Sequence, residues 1–172
     1  MNQVRIISGK FGGRLIFTPK NKVTHPMGDR EKTAIFNMIK TRLQDAVVLD
    51  AFAGSGALGL EALSRGASAV TFVEKDRKAL ATIEKNIEKL GVEKETKVLK
   101  RLGTGMFDVI FVDPPYDNMQ YSTVLKLADM VNINGLMVLS HPKDAEPPTF
   151  VRMALEEDRA YAGARIKIYR RV

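Results

Sequence analysis

Five short apolar runs recur along the chain, and they constrain its fold more than any other feature. They are rich in β-branched residues and read AVVLD, AVTFVE, TKVLK, FDVIFVD and GLMVLS, beginning at residues 46, 69, 96, 107 and 135. Continuous apolar runs are typical of strands that are buried on both faces of a parallel sheet. Helical segments separate most of them, so the pattern predicts an α/β protein with a doubly wound sheet and right-handed crossovers.

The segments between these runs have helical character. ALGLEALSRG and RKALATIEKNIEKLG both end in glycine, as helix C-termini often do, and the second has apolar residues on one face. YSTVLKLADMV predicts a third helix. DREKTAIFNMIKTRL predicts a helix before the first run, with Asp29 as its cap.

Both ends of the chain depart from this alternation. VRIISGKFGGRLIF has two β-forming runs around a glycine-rich turn and predicts a β-hairpin near the amino terminus. The tail VRMALEEDRAYAGARIKIYRR predicts two strands that close the sheet as an antiparallel hairpin. We therefore expect a single domain over residues 1–172, of which residues 1–27 are a basic hairpin and loop.

Composition limits the setting in which the protein works. No apolar run approaches the roughly 18 residues of a membrane span, and no amino-terminal segment resembles a signal peptide. The chain has no cysteine, which excludes disulfides and thiolate zinc sites. We expect a cytoplasmic protein that has neither a membrane nor a metal as its partner.

Basic residues are concentrated near the amino terminus. Residues 1–42 have nine Lys and Arg against two acids, a net charge of +7 that equals that of the whole chain. The rest of the chain has 18 residues of each sign. Such asymmetry predicts contact with a polyanion, nucleic acid first, although a solvated basic face would give the same count.

A glycine-rich turn follows the first of the apolar runs. Asp50 ends that run, and Gly54, Gly56 and Gly59 open the next helix with the spacing G-x-G-x-x-G. Glu74 lies 20 residues beyond Gly54, at the end of the second run. Such glycines let the backbone approach a nucleotide cofactor, and the later acid binds ribose hydroxyls. These features alone leave a dinucleotide such as NAD open.

Two details favour S-adenosylmethionine over NAD. Asp50 precedes the glycines, where its carboxylate could hold an ammonium group through backbone or water but would repel a pyrophosphate. The second detail is DPPY, residues 113–116, which ends the fourth run. In a doubly wound sheet this segment lies across the switch point from the glycine turn, where such sheets hold their ligands.

DPPY has the groups that methylation of a nucleobase amine requires. The amine is a poor nucleophile because its lone pair is delocalised into the ring. The carboxylate of Asp113 and the carbonyl of Pro114 could accept its two N–H groups, turn the lone pair towards the methyl group and stabilise the developing positive charge. Tyr116 offers a ring face for a base that has swung out of its stack.

With these residues in place, the chain resembles the RsmD family, bacterial methyltransferases that modify a guanine N2 of 16S ribosomal RNA. The likeness covers nearly the whole length. The motifs that carry it are RIISGKFGGRLI, HPMGDREKTAIFNMI, VLDAFAGSGALGLEALSRGA, VTFVEKDRKAL, FDVIFVDPPY and IKIYRR.

The resemblance implies a Rossmann-like, S-adenosylmethionine-dependent methyltransferase fold with seven mostly parallel strands. It implies a 16S rRNA partner, either free or within an assembling small ribosomal subunit, and catalytic roles for Asp113, Pro114 and Tyr116. The cofactor-binding residues that it implies are Asp50, Ala51, Phe52, Gly54, Gly56, Glu74, Lys75 and Asp113. Those expected to bind substrate are Arg5, Lys10, Arg14, His25, Arg30, Pro115 and Tyr116.

The sequence departs from the family pattern at two places. Only RLGTGM lies between the third and fourth runs, which is too short for the usual intervening helix and lacks the acid that similar enzymes place near the adenine. SHPKD follows the fifth run, where relatives often have Glu before the His.

Three other functions remain open on the sequence. DNA adenine-N6 methylation suits the same DPPY pattern, although a DNA reader usually needs a larger recognition element than the amino-terminal hairpin. The second is an RNA-binding protein of the same fold that has lost catalysis, which the intact DPPY and AFAGSG motifs argue against. The third is an NAD enzyme.

Overall fold

The computed structural model describes residues 2–19 and 27–172. Within these ranges the chain forms a two-stranded hairpin, a seven-stranded sheet and four α-helices. In chain order the elements are β1 (Asn2–Arg5), β2 (Leu15–Thr18), α1 (Asp29–Met38), β3 (Val47–Asp50), α2 (Ala57–Ser64), β4 (Ala69–Val73), α3 (Arg77–Leu90), β5 (Thr96–Leu99), β6 (Phe107–Val112), α4 (Tyr121–Asp129), β7 (Val131–His141), β8 (Met153–Ala160) and β9 (Arg165–Arg171). Over these residues, no helix combines the length and the apolar character needed to cross a bilayer.

The large sheet has the order β5-β4-β3-β6-β7-β9-β8. Neighbouring strands among the first five pair in parallel, whereas β9 pairs antiparallel with both β7 and β8. The predicted doubly wound sheet and its closing antiparallel hairpin are therefore confirmed. The chain order reverses between β3 and β6, so the carboxyl ends of these two strands form the switch point of the sheet.

Alternate residues of the central strands face two different cores. Val109 and Phe111 of β6 lie in the core beneath α1, α2 and α3, while Ile110 and Val112 lie in the core beneath α4. All four are at most 1% exposed. This burial on both faces explains why the strand sequences are apolar throughout instead of alternating.

The connection between β5 and β6 contains no helix. Residues 100–106 cross from one strand to the other as an irregular loop. Leu102 packs against the core beneath α4. The short RLGTGM segment predicted the absence of a helix in this connection, because six residues cannot form a crossover helix and still span the gap between two parallel strands.

The amino-terminal hairpin, β1 and β2 with their turn, packs on α2 and α3. Its side chains Ile6 and Ile16 are each 1% exposed and belong to the main core. The buried carboxylate of Glu61, on α2, accepts the N–H groups of Ile7 at 2.7 Å and Ser8 at 3.1 Å. The hairpin predicted as a small extension is thus part of the packed structure.

The helix before β3 differs from its prediction. α1 ends at Met38, and a short 3-10 helix, Lys40–Arg42, follows it. Gly28 occupies the N-cap position, so the prediction of Asp29 as the cap was wrong by one residue. Asp29 instead stands in the first turn and pairs with the Nζ atom of Lys32 at 3.2 Å. A carboxylate in the first turn is favourable because it lies at the positive end of the helix dipole.

Candidate active site

A cleft of about 1510 Å³ opens at the carboxyl ends of the parallel strands. The predicted site residues in its lining are Ala51, Phe52, Gly54, Glu74, Lys75, Asp113, Pro114, Pro115 and Tyr116. Small-molecule sites usually enclose about 300 to 1000 Å³. The cleft therefore has room for a cofactor together with a second group, such as a nucleobase.

Asp50 lies behind the lining of the cleft, at the base of the glycine turn. It is 2% exposed, and one of its carboxylate oxygens accepts the N–H of Gly59 at 2.9 Å. Gly56, with a φ of 80°, is the N-cap residue of α2 and has no side chain that could accept a hydrogen bond from the first turn of the helix. The carboxylate of Asp50 accepts the Gly59 N–H in its place. A contact from Asp50 to a ligand would have to pass through the backbone of the turn or through water.

Glu74 connects the glycine turn to the segment after β4. Its carboxylate accepts the N–H of Gly54 at 2.8 Å, that of Lys75 at 2.7 Å and that of Asp76 at 2.9 Å. A Cβ atom added at Gly54 would meet no atom within 4 Å, because this residue faces the open cleft. The turn thus leaves space for a ligand beside the backbone, with one carboxylate at its edge.

The DPPY segment leaves β6 beside the end of β7. Val112 pairs with Leu139, which places Asp113 level with Ser140 on the neighbouring strand. Pro114 is buried, whereas Tyr116 is 39% exposed. The Tyr116 Oη atom lies 2.5 Å from the Oγ atom of Ser140. The ring of Tyr116 is therefore held at its hydroxyl end while part of its surface faces the cleft.

Burial raises the pKa of two carboxyl groups at the switch point. The pKa of Asp113 rises to about 6 because the group is desolvated, although a hydrogen bond from Ser140 lowers it in part. The pKa of Asp50 rises to about 7, again mainly through desolvation; the Gly59 N–H opposes the increase, and the charges of Asp113 and Glu74 add to it. Three carboxyl groups thus share one end of the sheet, where a positive ligand would relieve their repulsion.

The structure distributes the predicted substrate-binding residues around the cleft and the hairpin. Arg5, Lys10, Arg14 and Arg30 are exposed. Lys10 and Arg14 lie over the ring of Phe11, at 5.3 and 5.6 Å from its centroid. His25 lies outside the described residues.

Sequence reasoning missed several residues that line the cleft. Glu31 and Lys32 reach it from α1, and Gln120 from the segment before α4. Lys32 is only 3% exposed, and its Nζ atom lies 3.4 Å from the carbonyl oxygen of Arg5. The helical spacing places Lys32 on the same face as the apolar residue Ile35, which could have indicated that Lys32 is buried. A lysine considered by itself is expected to be exposed. Part of the amino-terminal positive charge is therefore internal to the fold.

The loop between β5 and β6 forms another part of the cleft wall. Residues Arg101 to Gly105 line it. Two of these five are glycines, so the backbone is accessible there. Where the sequence lacks an acid, the loop therefore presents backbone and the half-buried Leu102 to the cleft.

The clustered carboxyl groups do not have the arrangement of a metal site. Within residues 2–19 and 27–172, no group of three or more His, Asp or Glu side chains is placed to hold a metal ion. The fold and the cleft have the architecture of an α/β methyltransferase, with the glycine turn and the DPPY segment on either side of the switch point.

Comparisons with known proteins agree with this class and identify the family. A family model described as "Conserved hypothetical protein 95" matches residues 4–170. The chain therefore belongs to this family, the RsmD family of methyltransferases.

Two relatives and one solved structure illustrate the similarity. YlbH of Bacillus subtilis is 34% identical over 183 residues, which cover 98% of this chain and 99% of YlbH. Ribosomal RNA small subunit methyltransferase D of Haemophilus influenzae is 37% identical over 155 residues, covering 83% of this chain and 80% of that protein. The structure of yhhF from Escherichia coli superposes with a TM-score of 0.88 at 29% identity, covering 99% of this chain and 98% of the other.

Proposed function

We propose that this protein transfers a methyl group from S-adenosylmethionine to the exocyclic N2 amine of a guanine in 16S ribosomal RNA. The observation that carries the proposal is the position of Asp113. Its carboxyl group lies in the cleft at the end of β6, next to the strand β3 that leads into the glycine turn. A nucleobase and a nucleotide cofactor bound on either side of this point would therefore meet.

The residues around the glycine turn fit this cofactor. S-adenosylmethionine, when bound, supplies a methyl group on a positively charged sulfur. The carboxyl groups of Asp50, Glu74 and Asp113 favour a cationic ligand and would repel the pyrophosphate of NAD. Glu74, at the edge of the open space beside Gly54, would accept hydrogen bonds from ribose hydroxyls, with Ala51, Phe52 and Lys75 nearby in the lining.

Asp113 and Pro114 would prepare the amine for reaction. An ionised Asp113 and the carbonyl of Pro114 accept the two N–H groups, so that the nitrogen lone pair is no longer held in the plane of the ring. S-adenosylmethionine held beside the glycine turn would supply the methyl group, and the methylated nitrogen would then lose one proton. Asp113 can accept this proton or pass it to water, because its pKa of about 6 is close to neutral.

Tyr116 and the basic hairpin would hold the RNA. The partly exposed ring of Tyr116 offers a stacking surface for the target guanine, and Pro115 stands beside it. Arg5, Lys10, Arg14 and Arg30 are exposed and can contact phosphates. The name of the Haemophilus influenzae relative, a small-subunit ribosomal RNA methyltransferase, supports ribosomal RNA as the substrate.

Mapping of methylated guanines in ribosomal RNA, in strains with and without this gene, tests the proposal. We expect one N2-methylguanine in 16S rRNA to disappear from the deletion strain and to return when the wild-type gene is restored. The Asp113→Ala variant should not restore it. An unchanged guanine methylation pattern would contradict the proposal.

Purified protein should then separate the competing activities. Labelled S-adenosylmethionine is supplied with naked 16S rRNA, with small ribosomal subunits or with double-stranded DNA, and the modified base is identified. Transfer to adenine in DNA would favour the alternative substrate. Calorimetry with S-adenosylhomocysteine and NADH distinguishes the cofactors, and cofactor binding without any transfer would indicate a protein that has lost catalysis.

A further inference from the structure

Ser140 occupies a position between the two side chains to which the proposed function gives catalytic roles. It is the next-to-last residue of β7 and is 2% exposed. The parallel register of β6 and β7 places it beside Asp113. Its Oγ atom contacts the hydroxyl of Tyr116 at 2.5 Å. A buried hydroxyl at this point is therefore in contact with the site although it is hidden from solvent.

The hydrogen-bonding capacity of serine fixes the direction of these contacts. A serine hydroxyl has one proton to donate and two lone pairs that accept. The carboxylate of Asp113 can only accept, and the Ser140 hydrogen bond that lowers its pKa makes Ser140 the donor to Asp113. The Ser140 oxygen can then accept the proton of Tyr116. The resulting chain runs from Tyr116 through Ser140 to Asp113.

We propose that Ser140 is a positioning residue for methyl transfer, which holds the Asp113 carboxylate and the Tyr116 ring in one fixed arrangement. The proposal rests on the proposed function, because it assigns a purpose to the geometry that the function requires. Asp113 must accept the amine of a base whose ring lies on Tyr116, so the two groups have to keep a constant separation and angle. A single hydroxyl that contacts Tyr116 and lies beside Asp113 meets that requirement.

Other charged groups lie around the same cleft as Asp113. Burial raises the pKa of Asp50, at the end of β3, and the charge of Asp113 adds to that increase. Burial likewise raises the pKa of the Tyr116 hydroxyl, with smaller contributions from Asp113 and from Glu31 of α1. Glu74, Lys32 and Lys75 line the same cleft from other elements. Against this mainly acidic surrounding, Ser140 is a neutral donor that stabilises the ionised form of Asp113.

Ser140→Ala is the main test. In the ligand-free protein, the pKa of the Asp113 carboxyl, measured by carbon-13 NMR titration, should rise further above about 6, because a hydrogen bond to the ionised form is lost. In methylation assays the acid limb of the rate profile should move to higher pH by the same amount. At high pH, kcat should fall by about 10- to 100-fold, the effect of losing one hydrogen bond to a charged group.

Two further variants separate positioning from a general effect on folding. Ser140→Thr keeps the hydroxyl and should retain the wild-type acid limb. Tyr116→Phe leaves Ser140 free to donate to Asp113, so the acid limb should stay in place while the KM for RNA rises. The loss of rate in the double variant, Ser140→Ala with Tyr116→Phe, should be smaller than the product of the two fold-losses in the single variants. Both substitutions act through one chain of hydrogen bonds, so their effects are not independent.

The outcomes distinguish this proposal from the proposed function. If Ser140→Ala keeps its affinity for S-adenosylhomocysteine but shows the wild-type pKa of Asp113, the positioning role is overturned. A uniform loss of rate without a shift of the acid limb overturns it as well. Failure of the wild-type protein to methylate guanine would contradict the proposed function instead. The NMR titration of Asp113 would still decide whether Ser140 controls that carboxyl group.

Discussion

The side chain of Asn86 pairs with the backbone of Phe17 as a neighbouring strand would. Its Oδ1 atom accepts the Phe17 N–H at 2.8 Å, and its Nδ2 atom donates to the Phe17 carbonyl at 2.9 Å. The same Nδ2 atom donates to the carbonyl of Ser55 in the glycine turn, also at 2.9 Å. Asn86 is 0% exposed. One amide on α3 thus joins the amino-terminal hairpin to the segment that borders the cleft.

Asn86→Ala should destabilise the protein by about 2 to 3 kcal/mol, because it leaves buried backbone groups of Phe17 and Ser55 without partners. Urea unfolding monitored by circular dichroism measures the change. Asn37→Ala, at an exposed position on α1, is a matched control that should change stability by less than about 0.5 kcal/mol. Equal stability of the Asn86 variant and wild type would show that the hydrogen bonds of this side chain contribute little to folding.

Asp113→Ala should lower the methylation rate by roughly 100- to 1000-fold while the affinity for S-adenosylhomocysteine stays close to wild type, since one preorganised electrostatic group is removed. Single-turnover assays and calorimetry check the two quantities separately. Asp144→Ala serves as the control, because Asp144 is exposed in the segment after β7. A near-wild-type rate in the Asp113 variant would remove this residue from catalysis.

Glu74→Ala should weaken binding of S-adenosylmethionine by about 1 to 3 kcal/mol, since ribose hydroxyls lose a charged acceptor. The variant also frees the N–H groups of Gly54 and Lys75 that Glu74 accepts. Glu74→Gln keeps one acceptor oxygen and should show an intermediate loss. RNA affinity should hardly change in either variant. Calorimetry that finds unaltered cofactor affinity would contradict the role of Glu74.

Asp50→Asn should make the folding stability of the ligand-free protein less dependent on pH. The pKa of Asp50 in the folded protein, about 7, lies above its ordinary value of 3.8, so the folded state holds a proton that the unfolded chain releases. The contribution of the Asp50 carboxyl group to folding stability is fully present below about pH 4, and it is lost as the pH rises towards 7. Asparagine keeps an oxygen for the Gly59 N–H and does not ionise.

Urea unfolding at pH 5 and at pH 8 measures this effect as a difference between the Asp50→Asn variant and wild type. The variant should gain stability relative to wild type at pH 8. If the difference between the two proteins is the same at both pH values, the pKa of Asp50 is not raised in the folded protein. Calorimetry with S-adenosylhomocysteine on the same variant shows whether Asp50 also supports cofactor binding.

Replacing Arg5, Lys10 and Arg14 together with Gln should weaken RNA binding and flatten its salt dependence. Each lost phosphate contact on single-stranded RNA should reduce the log–log salt slope by about 0.7. The apolar anchors of the hairpin, Ile6 and Ile16, remain in place, so the fold and cofactor binding should survive.

A charge-matched control replaces Lys94, Lys97 and Lys100 with Gln; these are exposed lysines at or beside β5. Salt-titrated RNA binding should change little in this control beyond weak long-range attraction. The same slope for the hairpin variant and wild type would show that the basic hairpin is only a solvated face. Loss of both RNA and cofactor binding would instead indicate that the three residues are needed for folding.

The sequence by itself determined the fold class and the general place of the site. Residues 107–113 are apolar on both faces of a strand and end in DPPY, and this local pattern is sufficient to predict a buried parallel strand with Asp113 at its carboxyl end. The glycine spacing after Asp50 predicts a nucleotide turn, and that role stays a prediction. The strand and sheet predictions are confirmed because burial on two faces leaves a signal within a few residues of the sequence.

The tertiary structure alone decided which polar groups meet. Asn86 and Phe17 are 69 residues apart, Glu61 and Ile7 are 54 apart, and Ser140 lies 24 residues from Tyr116. Single polar side chains have no periodicity, and their ordinary tendency is to face solvent. Their burial is tolerated only because the folded chain brings a hydrogen-bonding partner to each of them. Partners so distant in sequence are set by the packing of whole elements, which no local pattern encodes.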